Sequence, residues 1–219
     1  MTVRWLLVRG EPPSPVESWL GPWESQRASS LSFPPKRREF VLGRWACKRA
    51  LAVALGVAPG PRLEVRAQPS GAPVPLLDGA PAPLRLSLSH RAGAALCALG
   101  PADAALGADL ELIEPRSDGF VETFFTRSET HFASQDPPLL RNLIWSAKES
   151  ALKALGEGLR RDTREVEIEP SLHASADGWR GLLARVAGRA LPGFWRREGD
   201  LVVTIVAEGA TSAPQRLSD

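Results

Sequence analysis

A repeat one hundred residues apart constrains the fold of this chain more than any other feature. The segment WACKRALAVALG (residues 45–56) aligns with WSAKESALKALG (residues 145–156), and five of the twelve positions are identical. Both segments have apolar residues at helical spacing, and both end in glycine, which commonly follows the last turn of a helix. Each is also followed by strand-like sequence. The repeat therefore predicts two similar lobes.

We predict an α+β fold in which a pseudo-twofold axis relates the two lobes. Each lobe should contain a long helix packed on a small, mostly antiparallel sheet, and a ligand should bind in the cleft between the lobes. The N-terminal lobe is predicted at residues 1–102 and the C-terminal lobe at residues 103–208. Residues 209–219 are predicted to form a disordered tail.

The pattern of apolar residues locates the main elements within these lobes. Long helices are predicted at residues 36–55 and 143–155, and a shorter helix begins near Ser128. Residues 58–83 are rich in proline and glycine and should form loops with short extended pieces. Strands are predicted at residues 3–8, 84–90, 94–99, 106–112, 164–169, 181–186 and 200–206.

The charge balance argues against general nucleic-acid binding but is compatible with a local site for a polyanionic ligand. A formal net charge of +2 argues against a general nucleic-acid-binding protein, which usually has a strongly basic domain. A local cluster suits a polyanionic ligand, although a solvated helix face would have the same composition. Its members are Lys36, Arg37, Arg38, Arg44, Lys48 and Arg49, with Glu39 as the single acid among them.

The cysteines and apolar segments indicate an ordinary intracellular protein. Cys47 and Cys97 have no neighbouring cysteine or histidine at the spacing of metal ligands, so we expect two buried thiols. The apolar run near the N-terminus is too short for a signal peptide, and no segment is long enough to cross a membrane. The expected location is the cytoplasm.

Three carboxylates are candidates for a metal site. In the stretch GADLE, Asp109 and Glu111 lie two residues apart on a predicted strand and therefore on the same side of it. Two neighbouring carboxylates repel each other unless a cation lies near them, but a solvent-facing edge would also explain the pair. Glu149 on the second long helix supplies a third carboxylate, and Mg²⁺ prefers such oxygen ligands.

Basic residues are available to hold phosphates near such a metal. Lys148 and Lys153 flank Glu149, although an ordinary Glu149–Lys153 helix pair would look the same. The stretch SLSH places Ser89 and His90 at the end of a predicted strand. Acidic residues for a metal and basic residues for an anion are the requirements of phosphoryl transfer. The sequence contains no P-loop, so an ordinary nucleoside-triphosphate enzyme is not indicated.

These stretches together resemble the 4′-phosphopantetheinyl transferase family. GADLE and WSAKESALK are similar to its two signatures, G-x-D-x-E and W-x-x-K-E-x-x-x-K, and SLSH resembles the S-x-S-H strand that precedes them. FVLGRWACKRAL resembles the basic helix of the first lobe, and FFTRSE resembles a segment between the signatures. The resemblance covers roughly residues 36–155, and the chain length is that of the two-lobed, monomeric, surfactin-synthetase-activating type.

The resemblance implies a reaction and a set of partners. The protein would transfer the 4′-phosphopantetheine group from coenzyme A to a serine of an apo acyl or peptidyl carrier protein. The reaction would require Mg²⁺ and release 3′,5′-ADP. The protein would be a monomer that binds the carrier transiently, without nucleic acid or membrane. Arg160, Arg161 and Arg164 are candidates for meeting an acidic carrier helix, although a solvated loop is an equal alternative.

The resemblance also assigns roles to individual residues. Asp109, Glu111 and Glu149 would bind Mg²⁺, and Glu149 would also act as the base. Lys153 would contact the pyrophosphate of coenzyme A and take part in catalysis. The residues expected to bind coenzyme A are Arg44, Lys48, Ser89, His90, Lys148 and Lys153, with His90 and Arg44 or Lys48 at the 3′-phosphate.

Two departures from the family pattern concern the nucleotide contacts. Ala72 stands where relatives often have a lysine, and Arg91 follows the histidine where serine is common. Arg85 or Arg91 could replace the missing lysine. Two other functions remain as alternatives: a non-catalytic module that binds coenzyme A or a carrier protein, and another Mg²⁺-dependent phosphotransferase.

Overall fold

The fold is α+β, as predicted, and the chain divides into two compact units. A computed structural model describes residues 1–156 and 161–218. The N-terminal unit contains Val3–Ala104 together with residues 215–218, and the C-terminal unit contains Met1–Thr2 and Ala105–Pro214. The predicted boundary between residues 102 and 103 lies close to this division. The pseudo-twofold relation stays a prediction.

Helices and strands follow each other along the chain in the order that the sequence pattern indicates, with additions described below. In chain order they are β1 (Arg4–Arg9), α1 (Pro22–Ser29), α2 (Pro34–Leu55), β2 (Leu63–Ala67), β3 (Pro73–Leu77), β4 (Ala80–Pro81), β5 (Leu84–Arg91), β6 (Ala94–Pro101), β7 (Leu106–Leu112), α3 (Asp118–Phe124), α4 (Arg127–Ala133), α5 (Pro137–Leu155), β8 (Val166–Ala174), β9 (Arg180–Val186), β10 (Arg189–Glu198), β11 (Leu201–Ala207) and β12 (Gln215–Arg216).

In the N-terminal unit, α2 packs on the sheet with strand order β12-β1-β6-β5. Strands β5 and β6 form the predicted antiparallel hairpin, with Leu88 opposite Cys97. The turn between them contains Ala92 and Gly93, both with positive φ, which is the backbone that a tight hairpin requires. Alternate strand residues face the helix and form the core of this unit with its apolar side.

In the C-terminal unit, α5 packs on β7 and β11 of an antiparallel sheet with strand order β7-β11-β10-β9-β8. Asp136 caps the helix by accepting a hydrogen bond from the Leu139 N–H, and Gly156 ends it with a left-handed backbone (φ 71°). Strand β11 is buried along its whole length because it lies between two strands and under α5. The strands predicted at residues 164–169, 181–186 and 200–206 correspond to β8, β9 and β11, whereas β10 was not predicted.

The prediction of a disordered tail is wrong for the described part of residues 209–219. Strand β12 pairs with β1 in parallel, with Arg4 opposite Gln215. The Leu217 N–H donates to the Trp5 carbonyl, and the Leu217 side chain is buried in the core of the N-terminal unit. The tail was misjudged because a two-residue strand has no readable alternation and is stabilised by its partner strand.

Helices α1 and α3 were not predicted, and neither was the small sheet β2-β3-β4. Both helices are short, and the proline-rich sequence of β2–β4 obscures the period-2 pattern. The helix expected near Ser128 is confirmed as α4, which opens with a capping box between Thr126 and Glu129. Within the described residues, no helix has the length and apolar composition needed to cross a membrane.

Candidate active site

Lys148, predicted to touch coenzyme A, is instead a buried structural residue. Its side chain is 0% exposed, and its ammonium lies 2.8 Å from Glu129 Oε2. The ammonium also donates to the carbonyl oxygens of Thr163 and Val166, at 2.8 and 2.6 Å. Its three donors therefore have three acceptors inside the C-terminal unit. The assignment of Lys148 to the cofactor is corrected, because this ammonium has no accessible surface to offer a ligand.

Lys48 is corrected in the same way. Its side chain is 0% exposed, and its ammonium lies 2.7 Å from Glu24 Oε2. It also donates to the carbonyl oxygens of Gly60 and Leu63. Burial lowers the pKa of Lys48, and the Glu24 carboxylate opposes that change. A lysine in a basic helix looks like a phosphate ligand in sequence, and only its contacts show that it ties α2 to the loop before β2.

Asp109 and Glu111 both lie on β7, as predicted, and each is held by a cation of the C-terminal unit. Lys153 donates from α5 to Asp109 Oδ1 at 2.7 Å and to the Ala108 carbonyl at 3.1 Å. Glu111 Oε1 accepts a hydrogen bond from the Trp145 indole at 3.0 Å, and Glu111 Oε2 lies 3.1 Å from a guanidinium nitrogen of Arg116. Residues of α5 therefore bind both carboxylates, Lys153 that of Asp109 and Trp145 that of Glu111.

Glu149 belongs to the same network by its electrostatics. Burial raises the pKa of the Glu149 carboxyl, the charges of Asp109 and Glu111 raise it further, and Lys153 opposes them. A carboxylate is affected in this way only by charges that lie near it. The structure thus brings Asp109 close to Glu149 and Lys153, which lie about forty residues further along the chain.

The close approach of β7 to α5 depends on a glycine. A Cβ atom on Gly107 would overlap the Ser150 carbonyl oxygen and lie 2.6 Å from the Ala154 nitrogen. The glycine of GADLE is therefore a packing requirement, since any side chain there would push the strand away from the helix. Buried hydroxyls also join α5 to β11, the strand beside β7, because the Ser150 hydroxyl lies 2.7 Å from that of Thr204.

The described part of the chain contains no group of three acidic, histidine or cysteine side chains placed as a ready metal site. The reason lies in the contacts above. Asp109 is drawn to Lys153, and Glu111 to Arg116 and Trp145. The donor chemistry nevertheless fits a hard cation, because all three candidates are carboxylates. Burial raises the pKa of Glu149, and the charges of Asp109 and Glu111 raise it further, which indicates that these two carboxylates lie near it.

His90 and Arg44 meet at a cavity of about 290 Å³ in the N-terminal unit. The Arg44 guanidinium stacks over the Phe40 ring at 4.3 Å and lies 3.7 Å from Glu24 Oε1. His90 Nδ1 lies 3.8 Å from Glu39 Oε2, and the imidazole is 39% exposed. The lining residues are Arg27, Leu31, Lys36, Glu39, Phe40, Arg44, Leu88 and His90.

Sequence reasoning missed two cations at these sites. Arg27 lies on α1, whose existence the apolar pattern does not predict, and Arg116 lies in the loop after β7. The sequence contains no spacing that would have identified either residue. Ser89, next to His90 on β5, does not line the 290 Å³ cavity within the described residues.

The family comparison decides the class of the C-terminal unit. Residues 105–206 match the family model of the 4′-phosphopantetheinyl transferase superfamily. This chain carries a domain of that superfamily. A search among curated proteins finds no significant match to the chain.

The phosphopantetheinyl transferase domain contains Asp109, Glu111, Glu149 and Lys153 and excludes Arg44 and His90. The resemblance inferred from the short motifs is therefore confirmed at the level of the superfamily, whose name describes a transferase. The carboxylate–lysine network between β7 and α5 is the candidate active site of this domain.

Proposed function

We propose that the protein transfers the 4′-phosphopantetheine group of coenzyme A to a serine of an apo acyl or peptidyl carrier protein, in a Mg²⁺-dependent reaction. It would belong to the two-lobed, monomeric type of this superfamily. One observation carries the proposal. Within the matched domain, Lys153 lies 2.7 Å from Asp109 Oδ1, and burial together with the nearby charges of Asp109 and Glu111 raises the pKa of Glu149.

Three carboxylates would hold the metal: Asp109 and Glu111 on β7 and Glu149 on α5. Their oxygen atoms are the ligands that Mg²⁺ prefers. Bound Mg²⁺ would neutralise charge on the pyrophosphate of coenzyme A and on its leaving oxygen. Every other task falls to the side chains of the protein.

Lys153 would bind an oxygen of the pyrophosphate, because its side chain is 29% exposed and its ammonium lies beside Asp109. Glu149 would accept the proton of the carrier serine, directly or through one water molecule. The serine oxygen then forms a bond to the β-phosphorus of coenzyme A, and the bond from that phosphorus to the bridging oxygen breaks. The bridging oxygen leaves on 3′,5′-ADP, so that charge and atoms balance.

The 290 Å³ cavity would receive the 3′-phosphate of coenzyme A. Four basic side chains line it, Arg27, Lys36, Arg44 and His90, together with one carboxylate, Glu39. A phosphate in this cavity would accept charge-assisted hydrogen bonds. Lys36 and His90 are exposed enough to reorient toward such a ligand.

The carrier protein would meet exposed arginines of the C-terminal unit. Arg164 pairs with Asp162 at 2.8 Å and Arg161 with Glu165 at 2.6 Å, and Arg160 lies outside the described residues. Exposed pairs of this kind contribute little to stability. Their arginines could therefore exchange partners for carboxylates of an acidic carrier surface at little energetic cost.

The test is mass spectrometry of an apo carrier protein incubated with coenzyme A, Mg²⁺ and this protein. We expect the carrier to gain the mass of one phosphopantetheinyl group, and the gain should disappear in the presence of EDTA. Binding of coenzyme A without any mass gain, across acyl and peptidyl carriers, would refute the transfer reaction and favour a non-catalytic binding module.

A further inference from the structure

Arg116 is a cation that contacts one of the candidate metal ligands, Glu111, and lies outside the motifs. One guanidinium nitrogen lies 3.1 Å from Glu111 Oε2, and both side chains are 14% exposed. The same guanidinium lies 4.4 Å from the Phe120 ring centre and 5.7 Å from that of Trp145. A second member of the network, the Trp145 indole, donates to the other oxygen of Glu111.

The position of Arg116 is fixed by a fully buried amide. Arg116 Nε donates to Asn142 Oδ1 at 2.6 Å. The amide nitrogen of Asn142 donates to the carbonyls of Glu114 and Pro138, both at 2.7 Å, so the orientation of the amide is determined. In addition, Arg141 donates to the Arg116 carbonyl at 2.6 Å. The Phe120 ring, the Asn142 amide and the bond to the Arg116 carbonyl therefore all restrain this guanidinium near Glu111.

This arrangement sets the charge of the site before any ligand arrives. Asp109 is neutralised by Lys153 and Glu111 by Arg116, which leaves Glu149 as the carboxylate with the raised pKa. A divalent cation that approaches Glu111 is therefore repelled by the fixed charge of Arg116. An anionic diphosphate would offset that repulsion, because its negatively charged oxygens would attract the same divalent cation.

We propose that Arg116 is a positioning residue that weakens divalent-cation binding to the free protein and so makes metal binding dependent on the diphosphate of the substrate. This inference rests on the proposed function. It adds that the metal and coenzyme A bind with positive coupling, and that the fixed guanidinium is the source of the coupling. By thermodynamic linkage, the metal tightens coenzyme A binding by the same factor.

The experiment measures Mn²⁺ affinity directly, from the electron paramagnetic resonance signal of the free ion, with and without coenzyme A. Arg116→Gln removes the charge, Arg116→Met removes it but keeps an apolar stem over Phe120, and Arg116→Lys keeps it. We expect the Gln and Met variants to bind Mn²⁺ about 3- to 30-fold more tightly than wild type without coenzyme A. The Lys variant should remain near wild type, and coenzyme A should tighten Mn²⁺ binding less in the Gln and Met variants.

Arg185→Gln is the matched control, because it removes one positive charge from an exposed pair with Glu169 in the same unit. It should leave Mn²⁺ affinity unchanged. Unchanged affinity in the Gln and Met variants would overturn the inference, and so would weaker binding, which would mean that Arg116 orients Glu111 to help the ion. If no protein bound Mn²⁺ even with coenzyme A, the metal site of the proposed function would itself be wrong.

Discussion

Each of the two long helices, α2 and α5, is anchored by a buried lysine that pairs with a buried glutamate and binds backbone carbonyl oxygens. The residues next to that lysine differ between the two helices. In the N-terminal unit, Glu24 accepts from the N–H groups of Gly21 and Val65 and pairs with Lys48. In the C-terminal unit, Glu129 accepts from the N–H groups of Thr126 and Ile168 and pairs with Lys148. In both units, the lysine also binds two carbonyl oxygens ahead of or within the following strand.

The difference appears at the residues next to the buried lysine. Position 49 is arginine where position 149 is glutamate, and position 53 is an exposed valine where position 153 is the lysine that holds Asp109. Successive residues of a helix point about 100° apart, so the buried lysine determines which way its neighbour faces. The comparison indicates that the repeated lysine is a structural residue in both units, and that the two helices differ in the residues one and five positions after it.

The largest expected effect distinguishes Glu149 from Arg49, the residues that follow the buried lysines of α5 and α2. Glu149→Gln should reduce carrier modification by roughly a thousandfold or more, since it removes a proposed base and metal ligand. Arg49→Gln, at the equivalent position of α2, should change the rate by less than about tenfold. Mass spectrometry of the carrier protein over time gives both rates. A Glu149→Gln variant with near wild-type activity at saturating Mg²⁺ would show that the site assignment is wrong.

The next prediction tests whether the two buried pairs are equivalent. Lys48→Met and Lys148→Met should each lower the free energy of unfolding by about 3–5 kcal/mol, because each leaves a buried glutamate without its cation. Denaturant titration followed by tryptophan fluorescence measures both.

The double variant Lys148→Met with Glu129→Gln provides the control for the buried pair. It should recover part of the loss, because the amide oxygen of Gln can still accept a backbone N–H without a buried charge. A loss below about 1 kcal/mol in either single variant would show that its lysine is not a structural anchor.

A third prediction sharpens the role of the N-terminal unit. His90→Ala should weaken coenzyme A binding about ten- to a hundredfold, the value of a charge-assisted hydrogen bond to the 3′-phosphate. It should barely affect dephospho-coenzyme A, which lacks that phosphate. The loss should shrink at high pH, where the wild-type imidazole is neutral. Calorimetry with both ligands makes the comparison, and equal losses would place His90 elsewhere in the site.

The smallest effect concerns stability and pH in metal-free protein. The raised pKa of Glu149 means that its ionised form is disfavoured in the folded state. This penalty is fully present above the folded pKa and is relieved as pH falls toward the unfolded value of about 4.3. Glu149→Gln should therefore raise the melting temperature by about 1–4 °C near neutral pH and by less in acid. An equal gain at both pH values would exclude an ionisation effect.

The sequence predicted the long helices and most strands because their apolar spacing is regular over many residues. The electrostatics of Glu149 show that it lies near Asp109 and Glu111, as the motifs predict, and metal binding by these three carboxylates stays a prediction. The predictions for Lys48 and Lys148 were wrong, because the sequence does not distinguish a buried lysine that donates to backbone carbonyl oxygens from an exposed lysine that binds phosphate. The partner acids Glu24 and Glu129 are distant in sequence, and nothing in their local pattern indicates burial.

Strand β12 has a consequence for the order in which the protein can be assembled. The N-terminal unit completes its sheet with residues 215–218, so that sheet remains open at the β1 edge until these residues have left the ribosome. An open strand edge is a template for unwanted pairing. Variants truncated near residue 209, or tagged so that residues 215–217 cannot dock, should therefore accumulate as aggregates even when residues 105–206 are intact.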